Sequence, residues 1–153
     1  MRGRNSIMNL PKMKFTAVGD MLIQRNISTE YEGFEKVRDY ICKGDARFFN
    51  FESIIYRDGI WGNYFNGGSF HNSDPRTLRI AKEYGFNMMT FANNHTFDWG
   101  YGGLISTLDA LKETDFVHAG VGMNLDDVVI AGQMEHRIYG ISTLKCCDTG
   151  EVG

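Results

Sequence analysis

Cysteine is scarce in this sequence, basic charge is not in excess, and long apolar runs are missing. Each lack removes a class of protein. Three cysteines, Cys42, Cys146 and Cys147, do not make a disulfide framework. An odd count with one vicinal pair suits a reducing compartment, and a cytoplasmic location is the default expectation. Cys146 and Cys147 would need two more soft ligands close by to hold zinc, so they read as ordinary thiols. No stretch reaches the roughly 18 consecutive apolar residues of a bilayer span. The opening MRGRNSIMNLPKMK is charged but has no apolar h-region, so no secretory signal is visible. Lys and Arg number 16 against 19 Asp and Glu, a net charge of −3, which gives no reason to expect nucleic acid or an anionic membrane as partner. Neither G-x-G-x-x-G nor G-x-x-x-x-G-K-[ST] occurs, which argues against a generic nucleotide-binding domain.

What remains is a chain of 153 residues, 42% apolar and 23% charged, enough for one domain with a single core. Arg2, Arg4, Lys12 and Lys14 make the start basic, and residues 1–13 are expected to be a frayed leader. Residues 14–144 then form the domain, and 145–153 a loose tail.

Short apolar runs alternate with helical periodicity along the domain. Residues 14–18 (KFTAV) read as a strand running into Gly19-Asp20. Phe34, Val37 and Ile41 recur at i, i+3 and i+7, which predicts a helix over about 31–42. Residues 47–51 (RFFNF) are a second strand, and 56–70 an irregular stretch rich in Gly, Asn and aromatics. Asp74-Pro75 reads as N-cap and first helical residue, with Leu78, Ala81 and Tyr84 on one face and Gly85 as the stop. Residues 88–91 form a third strand, 102–113 a helix with Leu104, Leu108 and Leu111 inward, 116–119 a fourth strand and 137–143 a fifth. Strands alternating with helices predict an α/β fold with a largely parallel sheet. Ligands in such folds bind beyond the carboxyl ends of the strands.

The polar residues at those ends are Asp20, Asn50 with Glu52, and Asn93-Asn94-His95. Asp20, Glu52 and Asn94 are hard oxygen donors, suited to a divalent cation such as Mn, Mg or an iron-type metal. His95 could protonate a leaving oxygen, and Asp98 could orient it through the other ring nitrogen. Each cluster alone has a plainer reading: a turn for Gly19-Asp20, a left-handed pair for Asn93-Asn94.

Taken together the motifs resemble a known family. Gly19-Asp20-Met21-Leu22 is similar to the GD-x-x-L opening of capsule-synthesis (CapA-type, poly-γ-glutamate biosynthesis) proteins. Asn50-Phe51-Glu52 resembles their N-hydrophobic-E motif, and residues 92–100, ANNHTFDWG, their ANNH-x-x-D-aromatic-G signature. Gly85-Phe86, Thr107-Leu108 and Ala119-Gly120-Val121-Gly122 also fall where that family has matching residues. The family is related to calcineurin-like metallophosphoesterases. The resemblance therefore implies a sheet sandwich flanked by helices, with metals, dinuclear in the full-length protein, at the strand ends. It implies metal-ligand roles for Asp20, Glu52 and Asn94, with Asn50 in or beside the ligand set, and a leaving-group or phosphate-contacting role for His95. Family members also supply later histidines, one pair H-x-H-like. Here only His118 and His136 follow the ANNH segment, and neither matches a family ligand position. The chain is thus expected to be the N-terminal part of a longer protein.

The functional expectation is a metal-dependent phosphoesterase-like site, of hydrolase type, in a protein of anionic-polymer biosynthesis. This chain is expected to be inactive alone. An anionic polymer or a phosphorylated compound is the implied substrate class, and self-association through an exposed sheet edge is expected. The competing expectation is a non-catalytic accessory or binding module with a vestigial metal edge.

Overall fold

Four strands carry the fold: β1 (Phe15–Met21), β2 (Ala46–Phe51), β5 (Met88–Thr90) and β6 (Val117–Ala119). They pair in parallel in the order β1-β2-β5-β6. The helices between them are α1 (Phe34–Ile41), α2 (Thr77–Glu83) and α3 (Gly100–Lys112). Two short strands, β3 (Ile54–Ile55) and β4 (Asn72–Ser73), pair in parallel on either side of the irregular stretch. A four-residue helix α4 (Leu125–Val128) and an antiparallel hairpin of β7 (Gly132–His136) and β8 (Gly140–Leu144) follow β6. The computed structural model describes residues 12–65, 68–129, 132–136 and 140–144, the last two stretches by backbone alone. Most of the expected leader, the whole expected tail, and Cys146 and Cys147 lie outside these residues.

The α/β class with a mainly parallel sheet is therefore the observed architecture. Because strand order in the sheet follows chain order, each crossover steps the same way. Right-handed connections then place α1, α2 and α3 on one face. That face is the core. Phe49, Phe51 and Met89 point into it from the sheet and are fully buried. Phe49 meets Phe86 at 4.9 Å and Phe116 at 5.5 Å between ring centroids, distances typical of favourable aromatic pairs. Leu78, Ala81, Leu104 and Leu111 close it from the helices, with Leu108 and Tyr84 packed at its margin. Among the described residues, no helix is long and apolar enough to cross a membrane.

Three local expectations are corrected. Val37 is exposed, because the buried side of α1 runs through Phe34, Arg38 and Ile41, at i, i+4 and i+7. Arg38 completes that side by laying its guanidinium 5.8 Å from the Phe34 ring. The helix after Asp74-Pro75 begins at Thr77 with Arg76 as its cap residue. Asp74 instead caps the preceding turn: its Oδ1 accepts the Arg76 N–H at 2.8 Å and its carbonyl accepts the Thr77 N–H at 2.9 Å. The single last strand expected over 137–143 is the second arm of a hairpin, and 137–139 fall outside the described residues. Gly85 ends α2 at φ +94°, and a Cβ there would lie 2.5 Å from the Cys42 sulfur.

Asp74 supplies a test of this start signal. Bonds from the Arg76 side chain and backbone hold its carboxyl down at about 2. A carboxyl lowered in the folded state contributes stability above its ordinary range and loses it as pH falls toward the folded value. Losing its bonds to Arg76 at this part-exposed site, Asp74→Ala should cost about 0.5–1 kcal/mol near neutral pH. The gap between variant and wild type in urea midpoint should narrow between about pH 4 and pH 2.

Candidate functional site

Parallel pairing sets the site's geometry, since it brings the carboxyl ends of β1, β2 and β5 to one edge. Asp20 lies opposite Asn50, and Asn50 opposite Thr90. Between the Ala17–Phe48 and Asp20–Asn50 pairs, β1 advances three residues while β2 advances two. This one-residue bulge at Val18-Gly19 re-aims the end of β1, a frequent use of bulges beside functional sites. The exposed Asp20 accepts at Oδ1 from the Asn50 amide at 2.7 Å.

The network then runs into the turn after β5. Asn93 donates through Nδ2 to Asn50 Oδ1 at 3.1 Å and to the Phe51 carbonyl at 2.9 Å. Its Oδ1 accepts the His95 N–H at 3.0 Å. Thr96, buried, braces the turn from within, its hydroxyl donating to the Phe91 carbonyl and accepting the Asn93 N–H at 3.1 Å. Asn93 is therefore the asparagine woven into the strand ends, while its neighbour Asn94 is exposed. Both ends of the Asn50 amide are used, toward Asp20 and toward Asn93, so in this arrangement it orients Asp20.

His95 sits where this network meets the next. Its Nδ1 faces Asp98 Oδ2 at 2.7 Å, and Asp98 is buried. A carboxylate only accepts, so Nδ1 carries the proton and Nε2 is the working nitrogen. Nε2 points toward Glu52 Oε1 at 3.8 Å, with both side chains largely buried. Among the described residues no hydrogen bond reaches the Glu52 carboxylate.

The residue that sequence reasoning missed is His71. Its ring stacks on His95 with centroids 3.7 Å apart and an 18° tilt. Its backbone N–H donates to Asp98 Oδ2 at 2.8 Å, and its Nδ1 donates to the Glu52 carbonyl at 3.2 Å. His71 Nε2 is thus left for the Ser69 hydroxyl at 3.0 Å. It is held by the β3–β4 pair, which is anchored by Thr107: that hydroxyl accepts the Ile55 N–H and donates to the Gly103 carbonyl, both at 2.8 Å. Trp99 adds a bond from its indole N–H to the His71 carbonyl at 3.1 Å. Gly103 permits this, since a Cβ there would meet the Trp99 Cβ at 2.7 Å. No periodic signal marks His71, because it ends an irregular stretch. His118 lies elsewhere, on β6, with Nδ1 on the Phe116 carbonyl.

His71, His95 and Asp98 each offer a donor atom within 4.8 Å of the others, a group that can hold a metal ion. The wider donor set also fits a divalent cation. Glu52 is a largely buried carboxylate facing the His95 ring nitrogen at 3.8 Å, outside hydrogen-bond range, and a buried carboxylate is costly unless a cation or a donor meets it. Carboxylates mixed with imidazole nitrogens suit Mn, Fe or Zn.

The family model for bacterial capsule synthesis proteins (PGA_cap) matches residues 14–148. The chain belongs to this family. It is 30% identical over 125 residues to a capsule biosynthesis protein CapA of Bacillus anthracis, covering 76% of this chain and 30% of that protein. A PGA biosynthesis protein CapA of Bacillus subtilis is 25% identical over 124 residues, covering 72% and 30%. An uncharacterized protein, y4sH, of Sinorhizobium fredii is 32% identical over 134 residues, covering 85% and 29%. The chain thus spans about 30% of the length of the curated relatives it matches. Within this capsule-synthesis family frame, the matched region contains every residue of the site described above.

Proposed function

We propose that this capsule-synthesis family member carries a metal-dependent phosphoesterase-like site, of hydrolase type, used in making or processing an anionic polymer. The observation that carries the reading is the His95–Asp98 pair set with His95 Nε2 3.8 Å from the largely buried Glu52 carboxylate at the strand ends. Asp20 and Glu52 would hold the metal, with the exposed Asn94 as a further oxygen donor and Asn50 orienting Asp20. Bound there, a divalent metal would supply Lewis-acid polarisation of a phosphoryl oxygen. The remaining work falls to the chain's own residues. Asp98 holds His95 in one tautomer and one orientation. When protonated, His95 can pass a proton from Nε2 to the departing oxygen. Stacking on His71 keeps the ring from swinging away.

The first test is metal binding. Mn²⁺ titrated into the chain should bind weakly, and Asp20→Ala or Glu52→Ala should each weaken it by at least about 10-fold. The second is turnover of bis(p-nitrophenyl) phosphate. Any Mn²⁺-dependent rate should vanish in both Asp20→Ala and His95→Ala. A rate indifferent to both substitutions would overturn the hydrolase reading, and Mn²⁺ binding indifferent to both Asp20→Ala and Glu52→Ala would overturn the assignment of the metal to these carboxylates.

A further inference from the structure

Positive charge gathers where α2 meets the end of α3, on the helical face of the sheet. The hollow there has a volume of about 590 Å³. Five of its lining residues are cations, Arg57, Arg76, Arg79, Lys82 and Lys112, against two acids, Glu113 and Asp115. The whole chain carries −3, so this local excess runs against the average. Leu78 and Ala110, both buried, form an apolar floor.

The cations divide into two groups by what already holds them. Lys82 is paired with Asp115 and lies 4.1 Å over the Phe116 ring, and Lys112 is paired with Asp109 at 2.8 Å. That end is balanced. The arginine end is not. Arg76 commits two N–H groups to Asp74, at 2.9 and 3.0 Å, which fixes the plane of its guanidinium. Arg57 and Arg79, both exposed, have no hydrogen bond or ion pair from their side chains among the described residues. The Asp109 carboxyl is held below its ordinary value by the Lys112 bond and charge, with Arg57 adding only a weaker attraction. Arg76 and Arg79 stand three residues apart and so share one side of α2. Both also line a second hollow against residues 26–30, and Arg57 lines a third with Asn72 and Ser73. The three guanidiniums therefore make a ridge between adjoining hollows, which a long ligand can cross.

We infer that Arg57, Arg76 and Arg79 form a docking ridge for a linear polycarboxylate, a chain of carboxylates spaced by methylene groups. This rests on the anionic-polymer part of the proposed function and adds where such a polymer is gripped, apart from the metal. The planar fork of a guanidinium matches a carboxylate through two parallel bonds. The methylene groups between carboxylates settle on the Leu78 and Ala110 floor. A polyphosphate, charged at every unit, would be repelled by Glu113 and Asp115 along the same hollow. A neutral glycan gives the guanidiniums no anion to bind. The ridge holds its polymer without contact at His95.

The test uses the full chain without added metal and a fluorescently labelled γ-glutamate decamer, with polyphosphate of similar length and dextran as competitors. Anisotropy should give a dissociation constant on the order of 0.1–1 mM at low salt. Raising the salt to about 0.3 M should weaken binding at least about 5-fold. Arg57→Ala and Arg79→Ala, both exposed, should each weaken it about 3- to 5-fold, and the double variant about 10-fold. Arg79→Lys, which keeps the charge and loses the fork, should recover only part of the loss. Urea midpoints and Mn²⁺ binding should stay at wild-type values in these variants. No binding of the decamer at about 10 mM, wild-type binding in the double variant, or better competition by polyphosphate or dextran than by unlabelled decamer would each overturn the proposal. Asp20→Ala should leave decamer binding unchanged. A polymer lost with Asp20 but kept without the arginines would lie at the strand ends, which overturns the ridge and leaves the metal reading standing.

Discussion

Replacing Asp98 with alanine should lower stability by about 2–4 kcal/mol, a large share of the 5–15 kcal/mol typical of a domain. The carboxylate is 4% exposed and accepts from two groups, the His71 backbone N–H and His95 Nδ1. Truncation leaves both part-buried donors without this acceptor, and each such loss costs about 1–3 kcal/mol. It also frees His95 to rotate and to change tautomer. The measurement is a urea melt together with ¹⁵N NMR of the histidine rings. Wild type should show a protected Nδ1 proton on His95, absent in Asp98→Ala, and Asp98→Asn should recover part of the stability. A variant with wild-type stability and an unchanged His95 ring signal would show that this carboxylate does not hold the histidine pair.

Phe49→Ala should be at least as damaging, at about 3–5 kcal/mol. Phe49 is 0% exposed, central in β2, and wedged between Phe86 and Phe116. Removing the ring leaves a cavity bounded by side chains from three separate elements, which cannot all relax into it. Phe49→Leu keeps most of the volume and should cost about 1.5 kcal/mol. Chemical denaturation of the two variants decides the matter. Equal costs would mean that the core is loosely packed and that ring contacts contribute little.

The elements of the sheet were legible in the sequence because strand identity is local. The runs FTAV, RFFNF and MMT are largely apolar and lead into Asp20, Glu52 and the Asn93–His95 turn, and parallel pairing then brings those ends to one edge. The His95–Asp98 contact was legible for the same reason, lying within one short turn. His71 was not, because its place depends on β3 and β4, two-residue strands held by Thr107 from a distant helix. The choice between Asn93 and Asn94 was also hidden. Neighbouring residues of one type differ only in direction, and direction is set by Asn50 across the sheet. Val37 failed because periodicity marks a stripe but does not fix its centre. A long arginine stem covered the apolar side as well as a valine would have done.

The order of the strands has one more consequence, which concerns length rather than direction. Neighbouring strands in a sheet stand about 4.8 Å apart, and β1 and β5 are separated only by β2. The backbones of β1 and β5, at Asp20 and Thr90 on either side of Asn50, are therefore about 10 Å apart, a distance set by main-chain hydrogen bonds. The sheet acts as a ruler. The Asn50 side chain already spans the interval, bonded on both sides. Anything held between the two outer strands must fit the remaining gap, and substitutions elsewhere in the chain can tune its charge but not its span.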